Sequence, residues 1–292
     1  NNISHHKGLK MITINPNDYT SITCKPYAPN LGAEIYGVDL SRPVSDSQFN
    51  EIHQAFLRYQ VLFFKEQKEI PPEQQVIFGK RFGPLHTHPA APTMPGHPEV
   101  FEIHATKDSK VANGEFWHSD VSCDHIPPLG TILQIHITPE CGGDTMFSNM
   151  YSAYQNLSSP IKEFINGLTA LHSSEHIYKG RYADRGKNDE DIECPEASHP
   201  VVRTHPETGA KALFVNRTFT TKINELSGPE SDLILDMLFQ QAEHIDHQIR
   251  FRWTLNDVAF WDNRSCVHRA IWDYWPGERK GRRVTIEGDK PV

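Results

Sequence analysis

The sequence predicts an α+β fold, a β-sandwich or jelly roll with flanking helices, on three observations. From residue 98 on, short runs rich in β-branched and aromatic residues alternate with Gly, Pro, Asn and Asp turns. A few segments instead keep the spacing of amphipathic helices. The 292 residues show neither an internal repeat nor a convincing linker.

In chain order, residues 1–10 (NNISHHKGLK) lack an apolar run and are expected to be an expression remnant or disordered, with a single domain over 11–292. Residues 45–60 open on a capping Ser/Asp, and Phe49, Ile52, Phe56 and Leu57 follow helical spacing. Val61–Phe64 reads as a buried strand. Pro71–Phe82 reads as a second helix, with Pro near its start and Gly83 just past its end.

Strands are then expected at Val100–His104, Thr131–Ile137, Ala212–Val215, Ile249–Thr254, Val258–Trp261 and Arg282–Glu287, which puts most of the sheet in the second half. Helical stretches are expected at about 149–167 and 229–245, the latter with Leu233, Ile234, Met237, Leu238 and Ala242 on one side. Residues 179–200 are charged and turn-rich, and read either as a mobile active-site lid or as a solvated surface insertion.

Composition excludes several classes of function. With 29 Lys plus Arg against 37 Asp plus Glu, the formal net charge is −8, which gives no broad cationic surface for nucleic acid. The apolar runs fall far short of the roughly 20 residues that span a bilayer, so a soluble protein is expected. The five cysteines are odd in number, widely spread and without a C-x-x-C pair, which argues against a disulfide framework or structural zinc. A reducing cytoplasm is the expected compartment.

Among 17 His, one His-x-Asp triplet is expected by chance, and two occur. His244-Ile245-Asp246 falls at a helix end, where i and i+2 diverge, and is rejected as a metal site. His118-Ser119-Asp120 follows Phe116-Trp117. In an extended segment i and i+2 share a face, so an imidazole and a carboxylate stand side by side there. A third ligand would complete a 2-His-1-carboxylate facial triad, and His268 in WDNRSCVHRA is the best candidate. Beyond it, strand alternation puts Arg279, Gly281, Arg283 and Thr285 on one face. Two guanidiniums there either grip carboxylate or sulfonate from an inward face or guard an exposed edge strand.

From about Leu31 to Pro291 the chain resembles the taurine dioxygenase (TauD/TfdA) family of Fe(II)- and 2-oxoglutarate-dependent dioxygenases. The resemblance rests on LGAEIYGVDLSRP, FGPLHTHP, FWHSDVS, the GGDT of CGGDTMFSNMYSAY, LFVNRTFTTKI, WDNRSCVH and RRVTIEGDKP, in the family's order and spacing. It implies a double-stranded β-helix (jelly-roll) core and an iron held by His118, Asp120 and His268. It also implies 2-oxoglutarate held by Arg279, eleven residues past His268, and by the Thr145 hydroxyl, with O₂ as the other cosubstrate. Arg283 matches the arginine that receives the substrate's anionic head, helped by His88 and the backbone of Val121, with Phe219 as an apolar wall. A homodimer or tetramer is expected by the same analogy.

The chain departs from the taurine-specific pattern at Ala91, at Gly114 (with Asn113 beside it) and at Cys123. These departures remove groups that would hold taurine's ammonium while keeping the arginine for an anionic end. The expected substrate is therefore a small organic anion, an alkyl sulfonate or sulfate ester rather than taurine. The alternatives are an aryloxyalkanoate or other carboxylate, or a silent jelly roll that binds 2-oxoglutarate or an anion. A zinc hydrolase on the same ligands is the weakest reading, because no dedicated general base is in evidence.

Overall fold

The computed structural model describes residues 19–88, 93–111, 114–180, 190 and 192–292. The expectations for residues 1–10, for Ala91 and Asn113, and for 181–189 and 191 of the 179–200 loop lie outside them.

The chain opens with β1 (Thr23–Pro26) and β2 (Ala33–Tyr36), followed by α1 (Asp46–Tyr59), β3 (Val61–Phe64) and α2 (Pro72–Lys80). Next come β4 (Leu85–His86), β5 (Thr93–Met94), β6 (His97–Ala105), β7 (Gly130–Ile137) and β8 (Thr145–Asn149). The middle holds α3 (Met150–Gln155), α4 (Ser159–Ile165), β9 (Thr169–Ser173), α5 (Glu175–Tyr178), β10 (Glu196–Pro200), β11 (Val202–Thr204), β12 (Lys211–Leu213) and β13 (Thr220–Ile223). The chain closes with α6 (Gly228–Ala242), β14 (Gln248–Phe251), β15 (Val258–Asp262), β16 (Cys266–Ala270) and β17 (Arg279–Ile286).

Among the described residues, a nine-stranded sheet runs β1-β2-β3-β15-β7-β17-β6-β5, with β4 also on β17. Only the β2–β3 pairing in it is parallel. A smaller sheet, β14-β8-β16, packs on one face of the large one. The alternation of β3 and β15 shows why both faces are dry. Val61, Phe63, Ala259 and Trp261 pack with Phe147 and Phe251 of the small sheet, while Leu62, Phe64, Val258 and Phe260 pack under α1 and α2. Strands buried on both faces read as continuous apolar runs. Ring pairs tie the inner layer, with Phe63 stacked on Phe251 at 3.9 Å.

Helix α1 starts where its capping signal sits: the Ser45 side chain accepts from the Gln48 N–H and the Gln48 side chain reaches back, a box that stabilises by about 1 kcal/mol.

Several expectations are corrected. Among the described residues most strands, β8 to β17, lie from residue 145 on as expected, but most strands of the large sheet lie before it, and of these β1, β2, β4 and β5 are too short to stand out in the sequence. The 149–167 stretch is two helices: α3 ends at Gln155, and Ser158 with Pro160 starts α4 afresh. In α6 the buried stripe is Ser231, Leu235, Leu238, Phe239 and Ala242, while Leu233 is 74% exposed. Residues 196–200 of the expected 179–200 loop are strand β10, paired with β9. All five cysteines are free thiols. No helix among the described residues is long and apolar enough to cross a membrane.

Candidate active site

The nine residues singled out from the sequence, His88, His118, Asp120, Val121, Thr145, Phe219, His268, Arg279 and Arg283, line one cavity between the two sheets. Each layer supplies part of it. Thr145 and His268 come from β8 and β16 of the small sheet, and Arg279 and Arg283 from β17 of the large one. His118 and Asp120 come from the segment linking β6 to β7.

His118 and His268 form a bridge, each backbone N–H donating to the other's carbonyl at 3.0 and 2.8 Å, which brings the ring centroids to 4.1 Å. Past the bridge the chain turns at once, with Val121 at φ 44°, so the extended segment expected for His118-Ser119-Asp120 is one bridged residue followed by a turn. Asp120 still ends 3.8 Å from His118 Nε2. Ligand atoms of His118, Asp120 and His268 all lie within 4.8 Å of one another.

Tautomer and charge suit a divalent cation. His118 Nδ1–H donates to the Phe116 carbonyl at 2.8 Å, which leaves the Nε2 lone pair facing Asp120. Burial, then the neighbouring His118, pushes the pKa of His268 well below its ordinary value, so its ring is neutral and can ligate. Burial pushes Asp120 up, but Arg283 first, then the two imidazoles and the Thr131 hydroxyl, outweigh it and hold the carboxylate well below the usual range.

Asp120 is held from several sides. Its Oδ2 accepts from Thr131 at 2.7 Å and from Asn263 Nδ2 at 3.4 Å, its N–H donates to Asn263 Oδ1 at 3.2 Å, and its Oδ1 accepts from Arg283 at 2.5 Å. Asn263 in turn accepts from Trp261 Nε1 and takes the Ser119 hydroxyl on its carbonyl. Asn263 therefore ties the His118–Asp120 segment to the β15–β16 turn that leads to His268.

Arg279 is 4% exposed, and its Nε and Nη2, one edge of the guanidinium fork, have no hydrogen-bond partner among the described residues. No carboxylate is in contact with it there. A buried, unpaired donor edge is costly, and its geometry matches a carboxylate bidentately. Thr145 is buried beside it, and its hydroxyl oxygen accepts from Trp253 Nε1 at 2.9 Å. The residues present thus fit both a metal ion and a dicarboxylate.

Around Arg283 the walls are apolar. Its guanidinium lies over the Phe101 ring at 5.1 Å, and His88 stacks on the same ring at 5.6 Å. Burial, then Arg283, pushes the His88 pKa down to about 3, so its ring is neutral at pH 7. Phe219 and Tyr178 close that side. Cys123 is buried behind the lining with Val121. Gly114, at φ 81°, covers His118: a Cβ there would meet the His118 ring at 3.2 Å.

Sequence reasoning missed three contributors. Asn263 was visible only as a motif letter, and nothing pointed to Thr131 or Trp253.

Residues 23–285 match the model of "Taurine catabolism dioxygenase TauD, TfdA family". An alkylsulfatase of Acinetobacter baylyi is 34% identical over 96% of this chain and 89% of its own. An alpha-ketoglutarate-dependent sulfate ester dioxygenase of Pseudomonas putida is 34% identical over 91% and 90%. The crystal structure of a taurine dioxygenase from Burkholderia xenovorans superposes with TM-score 0.80 at 35% identity, covering 94% of this chain and 93% of that one.

Proposed function

The chain belongs to the TauD/TfdA dioxygenase family, and on that premise we propose that it is a 2-oxoglutarate-dependent dioxygenase hydroxylating an alkyl sulfonate or sulfate ester other than taurine. One observation carries the reading: a His118–Asp120–His268 cluster shares a cavity with the unpaired, buried fork of Arg279. The names of the relatives support the substrate class, since they act on sulfate esters or are alkylsulfatases.

In this reading His118, Asp120 and His268 hold Fe(II), and Arg279 with the Thr145 hydroxyl grips the far carboxylate of 2-oxoglutarate. Bound iron with 2-oxoglutarate and O₂ supplies an oxidant able to remove hydrogen from an unactivated carbon, with succinate and CO₂ as coproducts. Arg283 exchanges Asp120 for the anionic head of the substrate. Neutral His88 and the Val121 backbone N–H assist it. Phe101 and Phe219 hold the tail against the metal side of the cavity and exclude water, so the work of the protein is orientation. Hydroxylation at the carbon bearing the sulfate or sulfonate gives a product that collapses to a carbonyl compound and releases sulfate or sulfite.

We read residues 11–292 as one domain and the two packed sheets as a double-stranded β-helix. A cytoplasmic homodimer or tetramer follows by family analogy.

The test is anaerobic reconstitution with Fe(II) and 2-oxoglutarate, recording the visible charge-transfer band for wild type, His118→Ala and Arg279→Ala. Substrate-dependent succinate release is then measured with hexyl sulfate, hexanesulfonate, taurine and an aryloxyacetate. A band lost in His118→Ala, shifted to higher 2-oxoglutarate in Arg279→Ala, and turnover led by the sulfate or sulfonate are expected. No band would overturn the iron site, and turnover led by the aryloxyacetate would overturn the substrate class.

A further inference from the structure

We infer that Trp253 is a positioning residue that makes the cavity selective for a cosubstrate ending in a carboxylate, by fixing the direction in which the Thr145 hydroxyl donates. The inference rests on the reading of Thr145 and Arg279 as the 2-oxoglutarate clamp.

A hydroxyl has one proton to give and two lone pairs, and by itself can turn to serve either a donor or an acceptor. An indole N–H is a donor only. Trp253 Nε1 lies 2.9 Å from Thr145 Oγ1, both residues are buried, and the bond bridges 108 positions of sequence. With that lone pair engaged by the indole, the Thr145 proton is biased toward the cavity that Thr145 lines together with Arg279.

The same indole lies against Arg279. Its ring centroid is 5.5 Å from the guanidinium carbon, within cation–π range, while the Nε and Nη2 edge stays unpaired. One side chain therefore orients two donors: a neutral O–H and a cationic fork. Both are presented as donors, so a ligand end offering only acceptors fits, and one that offers no acceptor leaves both unsatisfied.

The backbone holds this arrangement in register. Thr145 pairs across β8 with Phe251 of β14, and Trp253 follows two residues beyond. The indole is further fixed edge-on to Phe251 at 5.0 Å, so its N–H direction is set by packing.

The experiment measures dissociation constants of 2-oxoglutarate and of 2-oxobutyrate, which lacks the far carboxylate, by anaerobic titration of the Fe(II)-loaded protein. Wild type, Trp253→Phe, Thr145→Val and the double variant are compared, with Mn(II) affinity measured on each. Trp253→Phe is expected to weaken 2-oxoglutarate about 5-fold, the worth of one ordinary hydrogen bond, and to leave 2-oxobutyrate and Mn(II) affinity unchanged. In the Thr145→Val background the same change is expected to add nothing further. If Trp253→Phe does not fold, β-(3-benzothienyl)alanine placed at 253 keeps the bicyclic outline without the N–H, and the same 5-fold loss is expected.

An unchanged ratio of the two affinities in both 253 variants would overturn the inference. So would an equal loss with and without the Thr145 hydroxyl, since that assigns Trp253 to packing alone. Absence of 2-oxoglutarate binding in the wild type would instead sink the clamp reading itself.

Discussion

Replacing Arg283 by Met should destabilise the metal-free protein far more than the metal-loaded one. Arg283 donates to Oδ1 of Asp120, a carboxylate only 2% exposed, and the arginine side chain is 11% exposed. Removing one partner of a buried pair typically costs about 3–5 kcal/mol, because the remaining charge is stranded in a poorly polar site. Thr131 and the Asn263 amide still serve the other oxygen and the backbone, so the lower end, ~3 kcal/mol, applies. At about 2.1 cal/mol/K per residue, 292 residues give an unfolding entropy of ~0.6 kcal/mol/K, and the loss becomes ~5 °C in Tm. A divalent cation on Asp120 takes over the guanidinium's electrostatic role, so the deficit should shrink below ~2 °C in saturating Mn(II). The assay is differential scanning calorimetry of wild type and Arg283→Met, each stripped by chelator and each reloaded anaerobically. An equal Tm loss in both states, or none in the stripped state, would refute the claim that Arg283 and a cation act on the same carboxylate.

Two further outcomes follow, one from the site and one from outside it. Asn263→Ala, which frees both the side chain and the backbone N–H of Asp120, should lower Mn(II) affinity about 10- to 100-fold, read by electron paramagnetic resonance titration. Unaltered affinity would show that Thr131 and Arg283 suffice to hold the carboxylate. Acid unfolding should report a separate cluster. The His53 hydrogen bond and then Arg264 outweigh burial and lower the Glu207 pKa from 4.5 to about 2. A depressed carboxylate contributes stability above its unfolded pKa and loses it as pH falls toward the folded value. Urea melts of wild type should therefore weaken between pH 4.5 and about 2 more steeply than those of Glu207→Gln, and parallel slopes would contradict the assignment.

The parts of the site that could be read from sequence are those whose geometry is local. His118 and Asp120 are two residues apart, close enough to meet across a turn as well as along a strand, and Arg279 and Arg283 share a strand face, so each pair is brought together locally. His268 entered by its motif. Asn263 and Trp253 could not be read in this way, because their partners lie 143 and 108 residues away and meet them only once β8, β14, β15 and β16 are in register. The same limit explains the short early strands that the sequence does not show. β1 carries an eBee burial pattern and β4 has two residues, so neither shows a period; their strand character comes from the neighbours they pair with. Leu233 differs for the opposite reason: the helical spacing is plain in the sequence, but the buried stripe is set by the sides that face β13 and α3, and the sequence offers two overlapping stripes.

The two arginines of β17 show how the sheet protects the alternation that the site depends on. Against β6 the register of β17 is regular, Arg279 opposite Ala105 and Arg283 opposite Phe101, so the two guanidiniums stay on one face. Against β7 the register slips, with Lys280 opposite Ile137 and Gly281 opposite Ile135. The extra residue therefore falls on β7, at His136, where Arg282 Nε donates to the imidazole at 3.0 Å. Gly281 is what lets the strands close there, since a Cβ at that position would lie 2.4 Å from the Gln134 carbonyl oxygen. A one-residue slip within β17 itself would turn one arginine away from the cavity and into the opposite layer. With the bulge on the neighbouring strand, the large sheet can twist over the small one while Arg279 and Arg283 remain aimed at adjoining ends of the same cavity, one beside Thr145 and the other beside Asp120.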